Sequence, residues 1–348
     1  MKVLLTHELF APNFRGGGEY VRLETARGLI RRGVDVHVVT TGDPGLTEYE
    51  GIPTTRLAVG RRRFNLEVRA IARLADDADL IHTAFYHACL PSLVAGKLRR
   101  KPVVADVMAL FQDVWTEEKV WPLGVLYSAW ERFLLRRGYS ALLFFSDFSL
   151  AAGLKLGVDP AKAFVICPGI ESDLYRPDQP KQDVVLFSGK LDARKGIYEF
   201  LDVARALPAI RFNVMGWGPN QKAIREMAPP NVEFVPYARN LLAQSFAEAR
   251  IFLFPTKAET FGIALIQAMA SGCAVVSTLP MPFEGIKVMP GDRTAMINAV
   301  ETLWADPALT ADMGYRNVDL ARKYTWDAYI TELIRVYETI LADARNRS

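Results

Sequence analysis

Short, uninterrupted apolar segments alternate with helical patterns along the chain, and this alternation constrains the fold more than any other feature. The clearest apolar segments are Val3–Leu5, Val36–Val39, Leu80–Ile81, Val103–Val104, Leu142–Phe145, Val184–Phe187, Phe212–Met215, Ile251–Phe254 and Ala274–Val276. Uninterrupted runs of this length are typical of parallel strands that are covered on both faces. After the first of them, Tyr20, Leu23, Ala26 and Ile30 recur at helical spacing. The alternation predicts α/β structure with doubly wound, open parallel sheets.

The length of 348 residues predicts about two domains, at roughly 150 residues each. A segment at 168–183 that contains Pro168, Pro177 and Pro180 interrupts the alternation, which restarts at Val184. We therefore expect two Rossmann-like domains that face a central cleft, the first covering residues 1–170. The carboxyl ends of the strands should line that cleft, because ligands bind at this edge of such sheets.

Charge and cysteine content exclude several classes of protein. The 42 basic and 39 acidic residues give a net charge of +3, which excludes a strongly cationic nucleic-acid binder. Three cysteines, Cys89, Cys167 and Cys273, are far apart in the sequence. This spacing predicts a reducing compartment without a disulfide framework or structural zinc. The apolar run at the start of the chain is too short for a signal peptide, so we expect a cytoplasmic protein.

One stretch is long enough to span a bilayer, because Thr260–Phe283 carries no charge over 24 positions. The same stretch contains the turn signal Ser271-Gly272 and two prolines, Pro280 and Pro282. We therefore interpret it as a helix, a turn and a buried strand.

Two loops that follow predicted strands are placed to bind phosphate groups. Residues 15–19, Arg-Gly-Gly-Gly-Glu, open the first helix, where backbone N–H groups favour an anion. The alternative is a flexible turn. Residues 188–196 carry Lys190 and Lys195, two cations that can converge on one diphosphate. Here the alternative is a solvated basic loop.

A third such segment, 259–267, follows the strand Ile251–Phe254. Eight residues of helix span about 12 Å, so Glu259 and Gln267 can touch opposite parts of an extended ligand. The N–H groups of Phe261–Ile263 would face its phosphates. The alternative is that Glu259 is an ordinary acid in the first turn of a helix. The loop 216–219, Gly-Trp-Gly-Pro, is by itself a turn.

Together and in this order, these segments resemble the retaining glycosyltransferases of family 4, which have the GT-B fold. The resemblance runs along nearly the whole chain. It rests on the glycine turn at 16–19, Asp-Leu-Ile-His at 79–82, the pattern G-[RK]-x(4)-K-G at 189–196, Gly-x-Gly-Pro at 216–219, FPTKAETFG at 254–262 and QAMASG at 267–272. One such loop is weak evidence, whereas the ordered set is specific.

The resemblance implies transfer of a sugar from a nucleotide-diphospho-sugar to a hydroxyl group of a glycan, a lipid-linked acceptor or a small molecule, with retention of configuration. By resemblance, Lys190 and Lys195 hold the diphosphate and stabilise it as leaving group, and Glu259 binds sugar hydroxyls. The other donor-binding positions that it implies are Gly17, Gly18, Gly189, Gly216, Gly218, Tyr237, Thr256, Phe261, Gly262, Ile263 and Gln267. Among them, Gln267 takes the place of an acid that binds the ribose.

The resemblance also implies acceptor or cleft positions and the extent of the second domain. The acceptor or cleft candidates are Glu19, His82, Asp106 and Met108. The last helix, 326–348, packs back on the first domain and leaves 171–325 as the donor domain. Neither a cofactor nor a metal is expected, and the acceptor attacks the face of the sugar from which the phosphate departs. Asp77-Ala78-Asp79 formally matches a metal-binding D-x-D, but its place before a strand indicates acids that end a surface helix.

Three departures from the family pattern leave an alternative function open. Gln267 replaces an acid, Met108 stands where the family has a histidine, and the loop after Ser277 is shortened to residues 279–285. The alternative is a catalytically degenerate GT-B protein that binds a nucleotide sugar and acts as a binding or partner subunit. A two-domain epimerase or phosphorylase is a third reading, which the block at Glu259 disfavours.

Aromatic residues cluster with arginines between positions 111 and 137. They are Phe111, Trp115, Trp121, Trp130 and Phe133, with Arg132, Arg136 and Arg137. This composition fits a segment that rests on the inner face of an anionic membrane or holds a lipid-linked acceptor. The alternative is an ordinary helical core whose arginines extend to solvent.

Overall fold

The computed structural model describes residues 1–13, 16–112, 114–115 and 121–346, apart from the side chains of residues 239 and 240. The chain divides into two compact units. The first unit contains residues 1–168 and the C-terminal segment that starts at Trp326, and the second contains Gly169–Thr325. The boundary predicted from the sequence, between residues 170 and 171, lies two residues later than this division.

The first unit is built on an eight-stranded sheet within the described residues. Its strands are β1 Lys2–Thr6, β2 Asp35–Thr41, β3 Glu48–Tyr49, β4 Ile52–Leu57, β5 Leu80–Ala84, β6 Val103–Val107, β7 Ala141–Phe144 and β8 Ala163–Val165. Its helices are α1 Gly17–Arg31, α2 Val68–Ala75, α3 Cys89–Arg99, α4 Leu123–Leu135, α5 Asp147–Lys155 and, after the second unit, α12 Trp326–Asn346. The strand order is β3-β4-β2-β1-β5-β6-β7-β8, and the pairings are parallel except for the β3–β4 hairpin.

The second unit has a six-stranded parallel sheet within the described residues, in the order β11-β10-β9-β12-β13-β14. Its strands are β9 Gln182–Ser188, β10 Phe212–Met215, β11 Val232–Val235, β12 Ala249–Phe254, β13 Ala274–Ser277 and β14 Gly285–Lys287. Its helices are α6 Ile197–Ala206, α7 Gln221–Met227, α8 Arg239–Glu248, α9 Ile263–Ala270, α10 Arg293–Ala305 and α11 Pro307–Ala321. Both units therefore have the parallel α/β architecture that the alternation of segments predicts.

The strands that the apolar runs did not reveal lie at or near the sheet edges. β3, β8, β11 and β14 are the outermost strands, and each has only two to four residues. β4 is the next strand in from an edge, and its residues alternate between buried and more exposed positions. An edge strand has one paired neighbour and less cover, so its sequence needs fewer consecutive apolar residues.

The C-terminal helix α12 packs against α1 in the first unit. A Cβ atom on Gly28 of α1 would lie 2.4 Å from Cγ1 of Ile330, so the two helices approach closely at this glycine. The apolar stripe of α12 is buried, and its members include Tyr329, Leu333 and Tyr337. A helix that follows the second unit in sequence thus completes the core of the first.

The uncharged stretch 260–283 consists of α9, a turn and β13, followed by a loop. Leu279, Met281 and Phe283 of that shortened loop are buried, while the prolines between them are exposed. In the part of the chain that the structure describes, no helix is long and apolar enough to cross a membrane.

In each sheet, strands that follow one another in the sequence are added first on one side of a starting strand and then on its other side. β1 lies between β2 and β5, and β9 lies between β10 and β12. The loops at the carboxyl ends of such neighbouring strands diverge, which leaves room for a ligand. These points are the end of β1 in the first unit and the ends of β9 and β12 in the second.

Candidate functional site

The loop after β9 is organised around the carboxylate of Asp192. One oxygen, Oδ1, accepts the backbone N–H of Lys195 at 3.2 Å and caps a short 3-10 helix, Ala193–Lys195. The other, Oδ2, lies 2.9 Å from the guanidinium of Arg194 and 3.2 Å from Nζ of Lys190. Desolvation alone would raise the pKa of Asp192, but these two cations outweigh it and hold the pKa below its ordinary value. Asp192 is therefore an ionised group that gathers the basic side chains of the loop.

Lys195 connects this loop to the one after β12, because its ammonium pairs with Oε2 of Glu259. The other carboxylate oxygen of Glu259 accepts the backbone N–H of Thr260 at 3.1 Å. Both side chains are mostly buried, with exposed fractions of 25% for Lys195 and 16% for Glu259. The structure therefore brings together Lys190, Lys195 and Glu259, which the sequence predicts to act on the diphosphate and the sugar, and Asp192 joins Lys190 to the other two.

Glycines allow the backbones of these loops to touch. A Cβ atom on Gly216, after β10, would lie 2.0 Å from the carbonyl oxygen of Gly189. A Cβ atom on Gly218 would lie 2.6 Å from the carbonyl oxygen of Leu191. Any side chain at either position would push the loops apart. Gly216 and Gly218 therefore have a packing role that is independent of their expected contact with the donor.

The other predicted donor-binding residues of the second unit occupy different environments. Gly262 adopts a left-handed conformation, φ 88°, directly before Ile263 begins α9. The ring of Phe261 is buried against Tyr324, with ring centroids 5.5 Å apart. Thr256 is also buried, and its hydroxyl donates to the carbonyl of Arg194 at 3.1 Å. The side chains of Phe261 and Thr256 thus hold the loop in place.

Two further predicted residues lie at opposite extremes of exposure. Gln267 is buried in α9, and its Nε2 donates to the hydroxyl of Tyr175 at 2.6 Å. Tyr237 follows β11 and is 54% exposed. The Gln267–Tyr175 hydrogen bond was not anticipated, because nothing in the sequence relates two residues 92 positions apart.

In the first unit, the glycine turn meets the end of β1. α1 begins at Gly17, and a Cβ atom on Gly18 would lie 3.1 Å from Sδ of Met108 and 3.8 Å from Nε2 of His7. Met108 is half-buried, and Glu19 is buried in the first turn. Arg15 lies outside the described residues. His7 was not among the residues predicted from the sequence. It directly follows β1, the strand that lies between β2 and β5, and this position could have indicated it.

His82 and Asp106, which the sequence assigned to a cleft, lie in the interior of the first unit. Both side chains are 0% exposed. Asp106 binds Arg22 at 2.8 Å through Oδ2, and its Oδ1 lies 2.8 Å from Nε2 of His82. His82 Nδ1 lies 2.5 Å from the hydroxyl of Tyr337 in α12. This buried network joins the sheet to α1 and α12, so it stabilises the fold of the first unit.

The charges in this network explain its pKa shifts. Desolvation opposes ionisation of Asp106, yet His82 and Arg22 outweigh it and lower the pKa of the carboxyl. Burial is the largest cause of the lowered pKa of His82. Basic neighbours thus hold down the pKa of the carboxyl, whereas burial dominates the shift in the pKa of the imidazole.

The D-x-D sequence at 77–79 directly precedes β5 and lies at the amino-terminal ends of the strands of the first sheet. Asp79 Oδ2 accepts the backbone N–H of Lys2 at 2.7 Å, where β1 begins, and Ala78 is buried. Over the described residues, no group of three or more His, Cys, Asp or Glu side chains could hold a metal ion.

Helix α4 presents an apolar face to solvent. Its exposed apolar side chains, with Trp121 just before the helix, are Trp121, Leu123, Val125, Leu126, Tyr127, Trp130 and Phe133, and we call them the α4 face. Glu131 is buried on the other side, where its two carboxylate oxygens accept the backbone N–H groups of Phe111 and Gln112. The predicted alternative of an ordinary core therefore does not describe the residues of the α4 face.

Comparison with known proteins assigns the chain to a family. The sequence model described as Glycosyltransferase Family 4 matches residues 15–174, and the one described as Glycosyl transferases group 1 matches residues 182–306. The chain belongs to glycosyltransferase family 4. It is a glycosyltransferase of the GT-B fold, with two parallel-sheet α/β domains.

Two relatives of this glycosyltransferase match it over most of their length. D-inositol 3-phosphate glycosyltransferase of Mycobacteroides abscessus is 24% identical over 95% of this chain and 86% of that protein. O-antigen chain mannosyltransferase C of Escherichia coli is 23% identical over 98% of this chain and 99% of that protein.

Among solved structures, sucrose-phosphate synthase of Thermosynechococcus elongatus superposes with a TM-score of 0.81. It is 22% identical and covers 98% of this chain and 99% of its own. HepE of Anabaena, solved with UDP and glucose, has a TM-score of 0.79 at 20% identity and covers 97% of this chain and 100% of its own. These similarities establish the fold of the glycosyltransferase.

The buried network predicts a stability effect that can be measured. Arg22→Met should destabilise the first unit by about 3–5 kcal/mol, because it leaves the Asp106 carboxylate buried without its guanidinium. Adding Asp106→Asn should recover part of the loss by removing the unpaired charge. Chemical denaturation of both variants measures this. Arg335→Met, which removes an exposed i,i+3 pair with Glu332, is the control and should change stability by less than about 1 kcal/mol. Equal effects of Arg22→Met and Arg335→Met would contradict the role of the network.

Proposed function

We propose that this glycosyltransferase moves a sugar from a nucleotide-diphospho-sugar to a hydroxyl group of its acceptor and retains the anomeric configuration. The observation that carries the proposal is the pair Lys190 and Lys195, held at the carboxyl end of β9 by Asp192 and Glu259. The donor class has further support from HepE, which has been crystallised with UDP-glucose.

In the proposal, the two lysines bind the donor diphosphate and stabilise it as it departs. An ammonium group has three N–H donors, so each lysine can keep its carboxylate and still donate to phosphate oxygens. The carboxylates fix the position of the ammonium groups before the ligand arrives. Preorganised positive charge of this kind stabilises the negative charge that develops on the leaving group.

The carboxylates of the site favour same-face attack over a covalent sugar intermediate. A double displacement needs a carboxylate that is placed to attack the anomeric carbon. Both oxygens of Glu259 and both oxygens of Asp192 already accept hydrogen bonds or pair with cations. A carboxylate oxygen has two acceptor sites, so Glu259 can keep these partners and still accept a sugar hydroxyl. We therefore assign Glu259 to the sugar hydroxyls, and the departing phosphate accepts the proton of the acceptor.

We assign the remaining donor contacts within each unit separately. The N–H groups at the start of α9, after Gly262, suit phosphate oxygens. Gln267 donates its amide N–H to Tyr175, and we assign its carbonyl oxygen to a ribose hydroxyl. In the first unit, Gly17 and Gly18 offer backbone N–H groups to phosphate. The proposal includes no metal and no cofactor, because the lysines supply the charge that a divalent cation would supply.

Lys195→Ala should lower donor turnover by about 10²–10³-fold, because it removes one preorganised charge from the leaving group. Thermal shift with UDP-, GDP- and ADP-sugars identifies the donor, and release of nucleoside diphosphate then measures turnover, with and without a chelator. The matched control is Lys222→Ala, which removes an exposed lysine of the same unit and should leave turnover unchanged.

Three outcomes of that experiment are informative. Full turnover by Lys195→Ala would refute the assignment of the lysine pair. Loss of turnover in the presence of a chelator would refute the metal-independent mechanism. Donor binding by the wild-type protein without turnover, with every acceptor class tested, would favour the degenerate binding protein.

We propose that the acceptor belongs to glycoconjugate biosynthesis and that the α4 face helps to bring the protein to it. The named substrates of its relatives include D-inositol 3-phosphate and an O-antigen chain. Another relative is a phosphatidyl-myo-inositol mannosyltransferase of Mycobacterium leprae. These names support a glycan, lipid-linked or phosphorylated small-molecule acceptor, and we place a lipid-linked one first because of the α4 face.

We assign the α4 face to an anionic bilayer surface, because its charges and its aromatic residues both suit one. Over residues 121–137, the charged side chains exposed to solvent are Arg132, Arg136 and Arg137. The guanidinium of Arg137 stacks over Phe133 at 3.9 Å, and Trp130 stacks on Phe133 at 5.2 Å. Aromatic rings flanked by arginines are typical of helices that lie at a membrane interface.

The double variant Leu126→Glu, Trp130→Glu should lose at least about tenfold in vesicle binding, because two apolar side chains no longer enter the interface. Co-sedimentation with phosphatidylglycerol vesicles measures the loss, and the wild-type protein should bind phosphatidylcholine vesicles more weakly. Leu66→Glu, at an exposed position of the same unit outside the α4 face, is the control. Wild-type protein that stays in the supernatant, or a variant that changes only the oligomeric state, would contradict the bilayer assignment.

A further inference from the structure

His7 is held by the interior of the first unit and faces a space beside α1. The residue is 4% exposed and directly follows β1. Its Nε2 lies 3.8 Å from the point where a Cβ atom would stand on Gly18, in the first turn of α1. The thioether sulfur of Met108 lies 3.1 Å from the same point. Because Gly18 has no side chain, this residue does not fill the position next to the imidazole.

The hydrogen bonds of His7 fix which nitrogen carries the proton. Nδ1 accepts the backbone N–H of Leu9 at 3.0 Å, so the proton of the neutral ring is on Nε2. Burial is the largest cause of the lowered pKa of His7; Arg22 and Arg61 lower it too, whereas Glu8 raises it. The ring is therefore neutral at pH 7. Within the described part of the chain, Nε2 has no hydrogen-bond partner.

The first turn of α1 supplies further donors around the same space. α1 has 15 residues, and its N-cap residue is Gly16, which has no side chain of its own to cap the helix. The first backbone N–H groups of a helix have no partner within it, and the helix dipole favours an anion there. The first turn of α1, which includes Gly17 and Gly18, thus lies next to a buried imidazole donor. This combination suits an oxygen that carries negative charge.

We propose that His7 donates its Nε2–H to a phosphate oxygen bound at the amino end of α1, which makes it a substrate-binding residue of this glycosyltransferase. The inference rests on the proposed function, because the phosphate belongs either to the nucleotide-diphospho-sugar or to a phosphorylated acceptor. Met108 forms the apolar wall of the same site.

Four variants of the full-length protein test the role of His7. His7→Ala removes the donor, whereas His7→Gln keeps an amide N–H that can reach the same space. Gly18→Ala retains His7 but fills the space that Nε2 faces. His87→Ala removes a half-buried histidine of the same unit whose Nδ1 lies 2.8 Å from Nδ2 of Asn65, and it serves as the control. Calorimetry with UDP, GDP and ADP probes the donor phosphate, and glycerol 3-phosphate probes a phosphorylated acceptor.

We expect His7→Ala to weaken binding of one probe by about 10- to 100-fold, since a hydrogen bond to a charged group is lost. Gly18→Ala should weaken it similarly, His7→Gln should restore most of it, and His87→Ala should match the wild type. Weaker nucleotide binding assigns the phosphate to the donor, and weaker glycerol 3-phosphate binding assigns it to the acceptor.

The inference is overturned if all four variants bind every probe as the wild type does, while Lys195→Ala still lowers turnover. In that case the proposed function stands without His7. If His7→Ala fails to fold, the binding affinities of His7→Gln and Gly18→Ala test the inference instead. Wild-type affinity of Gly18→Ala for every probe would refute a phosphate in this space. Full turnover by Lys195→Ala would instead refute the assignment of the lysine pair, and donor binding without turnover by the wild-type protein would count against the proposed transfer reaction.

Discussion

The carboxylate of Asp192 is the group on which the arrangement of the second unit's site depends. It caps the 3-10 helix that carries Lys195 and pairs with Lys190 and Arg194. Without it, three cations would repel one another in a loop of six residues, and Lys190 would lose its carboxylate partner. Glu259 extends the same principle to the loop after β12. Positive charge is thus concentrated locally in a chain whose net charge is only +3.

Because β9 and β12 are parallel neighbours, the loops that carry these charges lie at the same end of the sheet, next to the carboxyl ends of the strands. The ends of β9 and β12 adjoin because these strands are neighbours, although their sequences are far apart. Close backbone contact through Gly216 and Gly218 then keeps the loop after β10 against the lysine loop. In the first unit the same rule places His7, at the end of β1, beside the start of α1. The order of the strands in each sheet therefore determines which loops, and so which candidate site residues, lie next to one another.

The sequence allowed prediction of the interior strands, the parallel α/β class and the segments with Lys190, Lys195 and Glu259. Interior strands are recognisable because they need uninterrupted apolar residues, whereas short edge strands such as β11 and β14 do not. The burial of His82 and Asp106 could not be predicted, because their partners come from α1 and α12, far away in sequence. The pairing of Gln267 with Tyr175 was unpredictable for the same reason. Local motifs thus indicated which loops form the site, but not which side chains hold each other.

The central claim is that the second unit recognises the diphosphate of a nucleotide sugar. The most direct test compares the affinity of the wild-type protein for UDP with UMP, GDP with GMP and ADP with AMP, by calorimetry at low salt. Two lysines placed for a diphosphate predict that the preferred nucleoside diphosphate binds at least about tenfold more tightly than its monophosphate. Equal affinity for the two, or no binding of any nucleoside diphosphate, would contradict the account.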